Sequence, residues 1–272
     1  MRVAVLQLAY GEGAEEPVAE RADRVADLVR TSGAGHDLVV LPELWSAGGF
    51  AVRDWEERSQ SLTSSLPPAL APVAQAAQEI GAVVHAGSVV ERTGEPGPDG
   101  RHLWNTSVVL GPDGKVVATY RKVHRFGFGG GEPRLMEAGT ELVVVDLPAP
   151  ADALPAGLST CYDLRFPELY RGLVELGAQL FLVPAAWPAP RVEAWRLLLR
   201  ARAIEDQCFV VACNTAGTHA GLRMGGRSAV IDPWGRVLAE AGTEQEALSV
   251  EIDPGLVTTA RTDFPVLADR RL

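Results

Sequence analysis

Short apolar runs alternate with amphipathic stretches along this chain, and the alternation predicts its elements one after another. Residues 2–9, RVAVLQLA, form an apolar run broken only by Gln7, the length and character of a buried strand. From Pro17 to Gly33 the apolar positions are Val18, Ala22, Val25, Ala26, Leu28 and Val29, a spacing that predicts an amphipathic helix ending at a glycine. Residues 37–43, DLVVLPE, predict a second buried strand halted by Pro42. A helix over 68–81 and a strand over 82–91 follow.

The segment ERTGEPGPDGRH is rich in Gly, Pro and charge, and reads as an exposed connection between two strands. Strands over 105–110 and 116–120 flank the turn sequence GPDGK. Residues 124–141, HRFGFGGGEPRLMEAGTE, carry too many glycines for regular structure and are expected to form a long loop; such loops are often functional. Beyond it come LVVVDL, GLSTCYD, the helix PELYRGLVELG, the strand QLFLVPAAW, the helix VEAWRLLLRARAIEDQ and the strand CFVVACNTA. RSAVIDPWGRVLAEAG reads as strand–turn–strand around DPWG, and EALSVEID closes a sheet. The tail, about 253–272, shows no clear period and is expected to pack on the domain or on a partner subunit.

Two β-rich halves, each with its own helices, predict an α/β fold: a four-layer αββα sandwich of two mixed sheets with helices on the outer faces. No linker divides the chain, so a single domain over 1–272 is expected.

Composition narrows the function. The net charge of −10 gives no electrostatic footprint for a nucleic acid backbone or an anionic membrane. No apolar run approaches the ~20 residues that span a bilayer. The three cysteines, Cys161, Cys208 and Cys213, are too few and too unevenly spaced for a disulfide framework, which suits a reducing, cytoplasmic setting. The five histidines are scattered and none is at ligand spacing with the cysteines, so no metal is expected.

Three residues stand out chemically. Cys161 closes an apolar run just before a helix whose first turn carries Pro167 and Glu168. That places its thiol at the carboxyl edge of a sheet, where helix amides would lower its pKa; the alternative is a buried structural cysteine. Glu43 follows a buried strand and a proline, as a general base or as a structural acid. Lys122 precedes the glycine-rich loop, either solvated or aimed at charge developing on a carbonyl oxygen. Within that loop Glu132 and Glu137 compete for any carboxylate role. Cys208 and Cys213 lie in apolar sequence and read as core.

Taken together, LPELW, YRKVHRFGF and STCYDLRFPELYR resemble the three signature segments of the nitrilase superfamily, the carbon–nitrogen hydrolases, in the family's order. NTAG (Asn214 to Gly217) and SAVIDPWGRVLAE extend the resemblance to about residue 252, and its Nit and omega-amidase branch is the most similar. The resemblance implies a covalent route with Cys161 as nucleophile, Glu43 as general base, and Lys122 with the Tyr162 N–H as oxyanion donors. It implies a second loop glutamate as well. Glu132 fits its spacing better than Glu137, although Ala138-Gly139 stands where the family often has Pro-Gly.

It also implies a small-molecule amide and water as partners, no cofactor, and a homodimer or higher homo-oligomer. Omega-amidase-like substrates are monoamides of dicarboxylic acids, whose far carboxylate needs a cation. Arg165 and Arg125 are candidates for it, and Arg165 is equally an ion-pair partner for Asp163 or Glu168. Trp187 is a pocket wall or a sheet-end aromatic. The rival readings are a nitrilase, an N-carbamoyl hydrolase, a thiol redox protein, and a catalytically silent binding protein of the same fold.

Overall fold

The computed structural model describes residues 1–10, 16–63, 66–148 and 153–271; Leu272 of the tail lies outside the described residues. Within them the strands form two six-stranded mixed sheets. The first is ordered β14 (Glu246–Glu251), β1 (Arg2–Gln7), β2 (Leu38–Val40), β3 (Val83–Arg92), β4 (Leu103–Leu110), β5 (Val116–Arg121). The second is ordered β13 (Val237–Glu240), β12 (Ala229–Ile231), β9 (Phe209–Cys213), β8 (Leu180–Pro184), β7 (Leu154–Leu158), β6 (Val144–Leu147). A small hairpin of β10 (Thr218–His219) and β11 (Leu222–Arg223) stands apart. Each sheet has three parallel strands at its heart, β1–β2–β3 and β7–β8–β9, with antiparallel strands outside them.

Strand alternation produces the layers. In β1, Ala4 and Leu6 face the helices α1 (Val18–Gly33) and α2 (Ala71–Ile80), while Val3 and Val5 face the other sheet. In β8, Phe181 and Val183 likewise face the helices α4 (Pro167–Glu175) and α5 (Val192–Asp206), and Leu180 and Leu182 point into the space between the sheets. Strands buried on both faces read as continuous apolar runs, which is why their sequence shows no polar face. The result is the expected αββα sandwich, with an apolar core between the sheets and one beneath the helices of each sheet.

Two elements differ from the sequence expectation. The glycine-rich loop contains a five-residue helix, α3 (Gly131–Leu135), entered through Gly131, whose φ of +51° is in the left-handed region that a glycine adopts freely. The tail forms α6 (Gly255–Asp263), which buries Val257 and Ala260, one turn apart, and is fastened by the Gln207 side chain donating to the Ala260 and Phe264 carbonyls. A stripe of two small apolar residues is too narrow to show as a period.

In both sheets the parallel strands end at one edge, and β5 runs the same way. Pro42, Lys122, Ser159 and Ala185 therefore leave the two sheets side by side. That edge of an open α/β sheet is where ligands bind.

Candidate active site

The Glu43 carboxylate is fixed by the turn that carries it. Beyond β2 the chain stays pinned to β3, as the Leu44 N–H donates to Ser88 Oγ at 3.1 Å and the Trp45 indole donates to the Ala86 carbonyl at 2.8 Å. Gly87 makes this approach possible: a Cβ there would lie 1.9 Å from the Pro42 carbonyl oxygen. Leu44 itself turns through φ +45°, the left-handed region that side chains disfavour.

Lys122 leaves β5 beside β4, its N–H donating to the Asn105 carbonyl at 2.9 Å. Its own carbonyl accepts from the Gly139 N–H at 2.9 Å. A Cβ at Gly139 would sit 1.9 Å from the Arg121 carbonyl oxygen, so the loop returns against the β5 end only through a glycine. The lysine side chain is buried.

These elements converge on a closed polar ring. Lys122 Nζ donates to Glu43 Oε1 at 2.8 Å and lies 3.0 Å from each oxygen of Glu132. Asn105 Nδ2 donates to the same two acids, at 2.8 Å to Glu43 Oε1 and 2.6 Å to Glu132 Oε1. Backbone amides hold the remaining oxygens: the Ala186 N–H donates to Glu43 Oε2 at 2.8 Å, and the Phe126 N–H to Glu132 Oε2 at 2.6 Å. Glu43, Glu132, Lys122 and Asn105 are all buried. Such burial is tolerable because every charge has a partner at hydrogen-bond distance.

Electrostatics assign the charges. Burial works against the Lys122 ammonium, but Glu132 and Glu43 outweigh it, and the lysine titrates well above its ordinary value. Burial raises Glu132 above the usual carboxylate range, with Lys122 opposing and Glu43 reinforcing the shift. The Cys161 thiol is pushed well up, first by burial and then by the nearby Glu43 charge, with Lys122 pulling the other way. The expectation that helix amides lower this thiol is therefore corrected. Burial and the Glu43 charge both favour the neutral thiol.

Cys161 opens a single 3-10 turn, Cys161–Arg165, with φ +49°. A non-glycine residue in this region costs of order 1–3 kcal/mol and persists only where its surroundings hold it. Here they do. Thr160 and Asp163 form a reciprocal capping box across the turn. Asp163, fully buried, also accepts from Tyr120 Oη at 2.7 Å and from the His124 N–H at 2.9 Å. One carboxylate thus ties the Cys161 turn to the two sides of Lys122.

The other sequence candidates sort themselves spatially. Glu137 is buried but turned away, accepting from the Arg101 N–H at 2.7 Å and the Asp99 N–H at 3.2 Å, so it caps the 93–102 loop. Glu132 is the acid that meets Lys122. Arg125 is engaged elsewhere, with Asp99 Oδ2 and the Met136 carbonyl each at 2.9 Å. Arg165 does not pair with Asp163 or Glu168; its guanidinium lies 4.9 Å from the Trp187 ring centre. Trp187 is buried, its indole donating to the Arg191 carbonyl at 2.7 Å and its N–H to Asn214 Oδ1 at 2.6 Å. The Tyr162 ring packs edge-on to Phe126 and Phe166, and its N–H, in the first turn, has no intrahelical acceptor.

Sequence reasoning missed Asn105, the Ala186 and Phe126 amides, and the clamp at Asp163. Only strand register brings Asn105 opposite Lys122, and no local signal reports register. Among the described residues no group of His, Cys, Asp and Glu is arranged to hold a metal ion. No helix among them is long and apolar enough to cross a membrane.

Two sheets ending in a buried Glu–Lys–Glu–Cys cluster define a class of protein, and the comparisons agree. The sequence profile of the carbon-nitrogen hydrolases matches residues 2–262, and the chain belongs to that family, the nitrilase superfamily. It is a hydrolase of carbon–nitrogen bonds. A 2-oxoglutaramate amidase of Paenarthrobacter nicotinovorans is 44% identical over 99% of this chain and 89% of its own length. The 2-oxoglutaramate amidase of Bacillus subtilis is 36% identical over 86% of this chain and 85% of its own. A CN-hydrolase superfamily protein of Xanthomonas campestris, solved with an arsenic adduct in its active site, superposes with TM-score 0.86 at 30% identity over 100% of this chain and 97% of its own.

Proposed function

We propose that the protein hydrolyses the terminal amide of a short monoamide of a dicarboxylic acid, 2-oxoglutaramate foremost, through a thioester on Cys161. The observation that carries this reading is the buried ring of Lys122, Glu43, Glu132 and Asn105 beside the strained Cys161 turn. The substrate follows the two amidase relatives.

Cys161 Sγ attacks the amide carbon as Glu43 takes the thiol proton. Glu43 Oε1 is held by Lys122 and Asn105, so Oε2, toward the Ala186 amide, is the oxygen that serves as base. Charge building on the carbonyl oxygen is met by Lys122 Nζ and the Tyr162 N–H. The C–N bond breaks as Glu43 returns the proton to nitrogen, and ammonia leaves. A water, deprotonated by Glu43, then cleaves the thioester to release the acid and restore the thiol. Glu132 orients Lys122 throughout. Arg165, above Trp187, takes the far carboxylate of the substrate, and Trp187 walls the pocket.

The whole chain acts as one catalytic domain in the cytoplasm, a setting that suits three free, buried thiols. It forms a homodimer through the face of α5 where Leu197 and Ile204, two turns apart, stand exposed, with Ile204 beside Trp234 and Phe264. Sedimentation at twice the 29.0 kDa chain mass is expected; a monomer at micromolar concentration contradicts the dimer.

A substrate panel tests the reaction itself. Ammonia release from 2-oxoglutaramate is expected to exceed that from butyramide, from N-carbamoyl amino acids and from the nitrile of matching length. Faster turnover of the nitrile or the carbamoyl compound contradicts the amidase reading.

A further inference from the structure

We infer that Arg191 is a second cation for the anionic end of the substrate, working opposite Arg165. This deepens the substrate reading above and rests on it.

Most cations around the cluster are already paired. Lys122 is taken by Glu43 and Glu132, Arg121 by Glu91 at 2.7 Å, and Arg125 by Asp99 at 2.9 Å. Arg165 and Arg191 have no carboxylate within ion-pair distance among the described residues. Each lies instead on an aromatic ring: Arg165 4.9 Å from the centre of Trp187, Arg191 5.6 Å from the centre of Phe126.

Those two rings are walls of the same site. The Phe126 N–H holds Glu132, and the Phe126 ring packs 5.3 Å from that of Tyr162, the residue after Cys161. The Ala186 N–H holds Glu43, and Trp187 follows it directly. Arg191 joins the walls, since its carbonyl accepts from the Trp187 indole while its guanidinium covers Phe126. Its residue is exposed and its charge is uncommitted, so it lies on the solvent side of these walls rather than in the core.

An amide carbon placed at Cys161 leaves the far end of a short dicarboxylic monoamide to reach toward this rim. In 2-oxoglutaramate that end is a carboxylate beside a ketone, with three acceptor oxygens. One guanidinium fork satisfies two of them in a bidentate pair, and a second meets the third while sharing the negative charge. A neutral amide such as butyramide offers neither guanidinium anything to bind.

The test is the ratio of kcat/KM for 2-oxoglutaramate to that for butyramide, in wild type, Arg191→Met and Arg191→Lys. The ratio is expected to fall by about 10-fold or more in Arg191→Met, mainly through KM for the charged amide, as loss of a charged hydrogen bond implies. Arg191→Lys should recover part of it, keeping charge without the fork. A ratio within about twofold of wild type in Arg191→Met overturns the inference, as does an equal loss on both amides, which marks a structural residue. A wild type with no preference for 2-oxoglutaramate overturns the substrate reading first and this inference with it, before any variant is compared.

Discussion

Lys122→Met is expected to cost the protein both its reaction and a large share of its stability. The substitution removes the one positive charge between two buried carboxylates, each with an oxygen no more than 3.0 Å from Nζ. Removing one partner of a buried ion pair costs about 3–5 kcal/mol, because the other charge stays desolvated. In a chain of this size that lowers Tm by on the order of 10 °C. The loss depends on pH, and its sign is fixed. Glu132 already titrates high because it is buried, and Lys122 is what holds it down. Without the lysine its folded value rises further above its unfolded one. A group raised in this way favours the fold below its unfolded value and loses that contribution as pH climbs through the folded value. The deficit of the variant is thus smallest in acid and grows toward neutrality, as thermal unfolding across pH will show. Turnover falls by about 10²–10³ at least, the usual cost of one oxyanion donor. A variant that melts like wild type and keeps a tenth of its activity contradicts the ring as the basis of the site.

Cys161→Ala separates chemistry from architecture. The turn is held by Thr160, Asp163, Tyr120 and His124, none of which bonds to the thiol, so the variant is expected to fold like wild type. It loses the nucleophile outright, and with it about 10⁴-fold or more of the rate. Lys122→Met fails in both respects and Cys161→Ala in only one, so the pair distinguishes a broken site from a broken protein.

Most of the fold was legible because buried strands and amphipathic helices carry local signals. α1 ends at Gly33 and α2 is capped by Gly81 in a left-handed turn, both visible as glycines after an apolar period. α3 and α6 were not, since each is short and buries one or two residues. Glu43, Lys122 and Cys161 stood out by motif order rather than by physics, for each had a bland local reading. What no local pattern reports is register across strands and direction of side chains. Asn105 meets Glu43 and Glu132 only because β4 pairs with β5, and Asp163 reaches Tyr120 only because the two sheets abut. Arg125 looked like an anion site by nearness in sequence, yet its partner Asp99 comes from the β3–β4 connection, 26 residues earlier. Arg191 had no motif to mark it.

The most direct test of the covalent route is intact-mass analysis of protein quenched in acid during turnover of 2-oxoglutaramate, with ammonia measured in parallel. Wild type is expected to carry one acyl group, mapped to Cys161, and to release ammonia, whereas Cys161→Ala carries none and releases none. Comparable ammonia release by Cys161→Ala, or an acyl group on any other residue, contradicts Cys161 as the nucleophile.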